Sequence, residues 1–140
     1  MIGIGAGARS YTSALHYSTE WAVSFSGVKE IIRNYLETPR DRFAFAEYGI
    51  ALSFAEQQRR YVVKSSLRRD GLDLAAYRAR FGSDPREDFD EIRELVEAGC
   101  LAIADGCLLP TPLGFENSDA IGPWLYSTAV VDRMNAFALT

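Results

Sequence analysis

Between Ser53 and Leu109 the chain carries helix starts and stops in such close order that few folds can accommodate them. Ser53 with Glu56 three residues later reads as a capping box, in which side chains satisfy the orphan amides of a first helical turn. Phe54, Tyr61, Val62 and Leu67 supply an apolar stripe behind it, and Gly71 ends the helix. Asp73 caps a shorter helix whose Leu74, Tyr77 and Phe81 share one face at i, i+3 and i+7 before Gly82 stops it. Asp84-Pro85 opens a third, because proline at the first helical position loses no hydrogen bond and already has the right φ. It turns Phe89, Ile92, Leu95 and Val96 inward and finishes at Gly99. The spacing predicts helices at 53–69, 73–81 and 85–98.

After the third helix, Leu101-Ala102-Ile103-Ala104, Asp105-Gly106 and Cys107-Leu108-Leu109 read as two strands joined by a type I′ turn. Three helices and a hairpin predict a winged-helix-like domain, so the fold class is mainly α with a small β-hairpin. Thr111-Pro112 caps a further helix to about Ile121, and Pro123-Trp124-Leu125-Tyr126 leads into a last one at 128–137.

The chain before residue 50 is of another kind. Ile2-Gly3-Ile4-Gly5-Ala6-Gly7-Ala8 reads as a buried strand, 2–8, running into a glycine-rich turn, since alternate glycines let backbone approach backbone or ligand. From Arg9 to Gly27 no period is sustained, and 28–37 predicts one helix capped by Ser26 or Gly27 and closed by Pro39. A strand of that kind needs neighbours that this chain does not offer. The expectation is an orphaned strand and loop belonging to a larger upstream domain, with unpaired backbone groups that leave 1–27 mobile or ordered only against the winged helix or another copy. Two regions follow: a tail and connecting segment, 1–50, and a C-terminal domain, 51–140.

Composition narrows the function. Apolar runs are far shorter than the roughly 20 residues that span a bilayer, and no basic-then-apolar leader is visible, which predicts a cytoplasmic protein without membrane contact. Cys100 and Cys107 flank the hairpin, either as a disulfide or, the favoured reading, as two reduced core thiols. With one histidine, His16, and two cysteines the chain has no ligand set for zinc or an iron–sulfur cluster. His16 is the acid–base candidate by its titration near neutrality, or else a loop anchor.

Charge argues against nucleic acid. The third helix, which would enter the major groove, carries seven acidic residues against Arg86 and Arg93, whereas phosphate affinity comes from lysine and arginine. The basic residues Arg59, Arg60 and Lys64 read as a solvated face or as a docking surface for that acidic helix.

Gly3-Ile4-Gly5-Ala6-Gly7-Ala8-Arg9-Ser10 resembles the glycine-rich stretch that ends the catalytic barrel in the oxygen-independent coproporphyrinogen III oxidase family of radical S-adenosylmethionine enzymes. Gly49-Ile50-Ala51-Leu52-Ser53, Arg59-Arg60-Tyr61-Val62-Val63-Lys64-Ser65-Ser66-Leu67 and Gly71-Leu72-Asp73 are similar to the start of its C-terminal domain. Leu95-Val96-Glu97-Ala98-Gly99 and Leu109-Pro110-Thr111-Pro112-Leu113-Gly114 are similar to its close. Arg9 stands where many relatives have histidine, and the stretch from His16 to Val23 and that from Ser118 to Tyr126 resemble one branch of the family.

The resemblance implies the end of a radical S-adenosylmethionine barrel followed by a winged-helix domain that covers the barrel and helps enclose substrate, with no catalysis of its own. For the parent it implies S-adenosylmethionine, a 4Fe-4S cluster and oxidative decarboxylation of coproporphyrinogen III in porphyrin biosynthesis; no cofactor is expected in this chain itself. Partners would be the upstream barrel and, through the exposed N-terminal strand, a second copy. Gly3, Ile4, Gly5 and Gly7 become candidate cofactor contacts, or else tight packing at a strand exit. Arg9, as a carboxylate clamp or a structural ion pair, and Tyr17 become candidate substrate contacts, with Tyr11 and Trp21 lining a cleft or an interdomain surface. The alternative is a winged-helix module for nucleic acid or, through Trp124-Leu125-Tyr126, for a protein.

Overall fold

The computed structural model describes residues 1–20 and 24–136. The described residues divide into two compact units, 1–57 and 58–136, with the boundary inside one helix.

The first unit holds an antiparallel sheet of β1 (Arg9–Tyr11), β2 (Leu15–Ser18) and β3 (Tyr48–Ala51), in that spatial order. Thr12 closes the β1–β2 turn, its hydroxyl accepting from the Leu15 amide at 2.9 Å. Between β2 and β3 lie α1 (Phe25–Glu37) and a 3₁₀ turn, Arg40–Ala44. The α1 helix starts three residues earlier than expected, because Ser24 caps it by accepting from the Gly27 amide.

The strand expected at 2–8 is absent, and the glycines are the reason. Gly5 and Gly7 take φ of 114° and 70°, which bends the chain into a turn closed by Ala8 N–H on the Gly5 carbonyl. Extended pairing begins only where the glycines end, at Arg9. Part of the backbone expected to be unpaired finds partners. Met1 and Tyr11 exchange two hydrogen bonds of 2.9 and 2.8 Å, Gly3 donates to the Ser10 hydroxyl at 3.0 Å, and Thr19 donates to the Ala8 carbonyl at 3.1 Å.

The second unit is helical with one small sheet. The elements run α2 (Phe54–Ser66), β4 (Leu72–Asp73), α3 (Leu74–Phe81), α4 (Pro85–Asp88), α5 (Asp90–Glu97), β5 (Leu101–Ala104), β6 (Cys107–Pro110), α6 (Pro112–Glu116), α7 (Ser118–Trp124) and α8 (Thr128–Ala136). The sheet order is β4-β6-β5, with Leu72 and Ile103 both opposite Leu108. Leu72, Tyr77, Ile92 and Leu108 have no exposed surface, and Val62, Phe89, Leu95, Leu101, Ile121 and Leu125 complete the core.

Local signals account for most boundaries here. Ser53 accepts from the Glu56 amide, Asp73 from Ala76, and Thr111 from Gly114. Asp105 and Gly106, at φ 50° and 74°, make the I′ turn. The third helix departs from expectation: it breaks at Phe89, whose extended backbone (φ −138°, ψ 112°) both ends α4 and caps α5. The break points the Phe89 ring into the core at 5% exposure. The helix expected from 111 to 121 likewise breaks at Asn117.

Cys100 and Cys107 are free thiols. Thr111 pairs with Cys100 and Ala104 with Cys107, so four strand positions, roughly 13 Å, separate them, beyond the ~7 Å Cα limit for a disulfide. Among the described residues no helix is long and apolar enough to cross a membrane.

Candidate functional site

In the first unit the N-terminal segment, the end of β2, α1 and the 3₁₀ turn surround a groove of about 500 Å³, within the range of small-molecule sites. Gly3, Ile4 and Gly5 form one wall and Tyr17 another; Gly7 and Arg9 lie outside it. Thr19 fastens the glycine turn to β2, its hydroxyl donating to the Gly5 carbonyl at 3.0 Å.

Gly3 is held to glycine by its neighbours. A Cβ there would lie 2.5 Å from the Arg9 carbonyl oxygen, closer than real Cβ atoms approach backbone. At Gly5 the same atom would meet nothing within 4 Å, so that glycine answers only to its φ of 114°. Ile4 projects outward at 91% exposure.

Strand parity separates the two candidate substrate residues. Ser10 pairs with Tyr17 while Arg9 pairs with Ser18, and successive side chains point to opposite faces, so Arg9 and Tyr17 sit on opposite faces of the sheet. Tyr11 and His16 share the Arg9 face, their rings edge to face at 4.9 Å. Trp21 lies outside the described residues.

Residues that the sequence reading passed over supply most of the groove's polarity. Asn34 on α1 donates to the Glu20 carboxylate at 3.2 Å, and Arg42 forms an ion pair with Glu47. Tyr35, Phe43, Phe45 and Tyr48 add aromatic surface.

Several charged groups of the second unit serve the fold. Asp88 accepts from the Tyr77 hydroxyl (2.6 Å), the Ser83 hydroxyl (2.6 Å) and the Gln58 amide (2.7 Å). Burial first, and then the Asp88 carboxylate, push the Tyr77 phenol far above its ordinary range. Asp84 is buried, capped onto Arg86 N–H and held by the Arg86 and Arg78 guanidinium groups. Its hydrogen bonds from Arg86 lower its pKa to about 2. Arg59 reaches Glu91 and the Leu125 carbonyl, each at 2.8 Å, with its guanidinium 4.6 Å from the Phe89 ring centre. One member of the basic set thus docks on α5. Of the seven third-helix acids, Asp84, Asp88 and Glu91 are engaged internally, and Glu87, Asp90, Glu94 and Glu97 remain exposed.

The chain does not fit a 4Fe-4S cluster: its two cysteines stand at opposite ends of a hairpin, and among the described residues no three His, Cys, Asp or Glu side chains converge as metal ligands. The groove has the size of a small-molecule site and is lined by backbone, carboxylate, amide and aromatic groups.

Comparison with curated proteins and with solved structures returns no match. Comparison with family models matches residues 56–116 to the HemN C-terminal domain. The match begins within α2, ends on the last residue of α6 and takes in every element between, including the sheet and the part-buried Asp88 network. HemN-like radical S-adenosylmethionine proteins use S-adenosylmethionine and a 4Fe-4S cluster. Residues 56–116, under half of the chain, are thus similar to the HemN C-terminal domain, which supports a C-terminal region of a HemN-like radical S-adenosylmethionine protein.

Proposed function

We propose that this chain is the cap of a cytoplasmic radical S-adenosylmethionine oxidoreductase of the coproporphyrinogen III oxidase kind, acting in porphyrin biosynthesis and not catalytic alone. The observation that carries the reading is the similarity to the HemN C-terminal domain over 56–116, preceded by a unit whose apolar side chains stand open. In the second unit, the element order helix-strand-helix-helix-helix-strand-strand with sheet order β4-β6-β5 supports a winged helix. Its exposed acidic residues on α4 and α5 disfavour a nucleic-acid partner.

In this reading residues 1–50 belong to an upstream barrel, whose cluster and S-adenosylmethionine would start the radical chemistry. Gly3, Ile4, Gly5 and Gly7 lie toward the cofactor, their backbone allowing close approach; Arg9 and Tyr17 occupy opposite faces of the sheet, so only one of the two can face substrate, and Tyr17 is the one on the groove. The barrel is the partner that covers Ile2, Ile4, Phe25 and Leu36.

The test is to express the chain joined to the polypeptide encoded ahead of it, reconstitute it without oxygen with iron and sulfide, and measure S-adenosylmethionine cleavage and coproporphyrinogen III decarboxylation. Both are expected, and both should fail when 51–140 is removed. Absence of S-adenosylmethionine cleavage would overturn the reading, and cleavage without porphyrinogen turnover would overturn the substrate.

A further inference from the structure

The small sheet of the second unit has an open edge at β5. Thr111 N–H donates to the Cys100 carbonyl at 3.0 Å, and hydrogen-bonded pairs alternate along an antiparallel ladder. Ala102 with Leu109 and Ala104 with Cys107 are therefore the bonded pairs, and Ile103, opposite Leu108, turns its N–H and carbonyl away from β6. No group among the described residues takes them up. Leu101 is buried, whereas Ala102, Ile103 and Ala104 are exposed, Ile103 at 47%. Sheet edges are commonly guarded by charge, proline or a bulge, and β5 has none of these. Leu72, Leu108 and Ile103 share one face of the sheet. The first two are fully buried, so the apolar row of the core runs out to the surface at Ile103.

We propose that the β5 edge pairs with β5 of a second copy of this chain, antiparallel, about a two-fold axis at Ile103. The exposed stretch Ala102-Ile103-Ala104 reads the same in both directions, so the edge is complementary to itself. Ile103 then lies opposite its own copy and the two exchange both of their free backbone bonds, while alanine meets alanine on either side and lets the backbones approach. The row Leu72-Leu108-Ile103 continues through the axis, and no charge within β5 meets a like charge. Three exposed residues a side bury far less than the ~1,200 Å² of stable interfaces, so the pairing is weak, with a dissociation constant on the order of 10⁻⁴ M. The inference concerns an edge of the second unit and stands apart from the porphyrinogen reading and from the N-terminal segment.

The experiment follows the intact chain by sedimentation equilibrium and NMR from about 10 μM to about 1 mM, a range that brackets the expected constant. A reversible monomer–dimer equilibrium is expected, with amide shifts at Ala102 to Asp105 that grow with concentration. Ile103→Lys and Ile103→Glu each set like charges against one another at the axis, and each should weaken association about tenfold while the shifts of core residues around Ile92 stay in place. Mixed in equal amounts, the two variants should associate severalfold more tightly than either alone, because position 103 faces its own copy. A monomer at the highest concentration, association that both single variants leave intact, or a mixture no tighter than either variant alone would each overturn the proposal.

Discussion

The two units spend their apolar side chains in opposite ways. In the second, Leu72, Tyr77, Ile92 and Leu108 vanish from the surface into one core closed by helices on a three-stranded sheet. In the first, Ile31 is the one large apolar side chain among the described residues that is buried, at 9% exposure. Phe25, Leu36, Phe45 and Ile4 stand open at 74% or more. The first unit is organised by backbone pairing and turn hydrogen bonds, each of which contributes little net stability because water offers the same bonds to the unfolded chain. The second is organised by burial, the dominant favourable term. Well-formed local geometry is therefore no guide to which half can stand by itself.

The largest expected effect compares the two cores directly. Ile92→Ala removes a side chain with no exposed surface and should cost about 4 kcal/mol, whereas Ile31→Ala, in a unit with no second large buried apolar side chain among the described residues, should cost about 2 kcal/mol. Thermal and denaturant unfolding of both variants measures the gap, and similar losses would break the contrast. Gly114→Ala comes next. Its Cβ would lie 2.0 Å from the Cys100 carbonyl oxygen, where α6 meets the start of β5, and the forced shift should cost roughly 3 kcal/mol.

Acid should weaken the second unit through Asp84. Its folded pKa, about 2, lies below the ordinary 3.8, so the carboxylate stabilises the fold in full above the ordinary value and loses that contribution as pH falls from about 4 to about 2. The amount is about 2 kcal/mol, and Asp84→Asn should flatten that limb of the stability–pH curve. The smallest effect is on the open surface of the first unit: Leu36→Lys, at 77% exposure, should change stability by less than about 0.5 kcal/mol while lowering the tendency to aggregate in light scattering.

The same division decides what could be read from the sequence. Capping residues and glycine stops act within a few positions, so the hairpin turn at Asp105-Gly106 and most helix limits of the second unit were legible. The break at Phe89 was not, because Asp88 finds its partners in Tyr77, Ser83 and Gln58, 5 to 30 residues away. In the first unit, β1 and β2 have three and four residues, too few for alternation to show, and without them the parity that parts Arg9 from Tyr17 was invisible. Glu20, Asn34 and Arg42 belong to no motif and meet only because β2, α1 and the 3₁₀ turn border one groove.

Hydrogen exchange on the intact chain tests the contrast most directly. Amides of the second unit around Val62, Ile92 and Leu108 should exchange only through global opening, while those of β1 to β3, around Ser10, Tyr17 and Ile50, should exchange orders of magnitude faster through local opening. Equal protection in the two sheets of a monomeric sample would contradict the account, since it would give the first unit a stability that its open apolar surface does not supply.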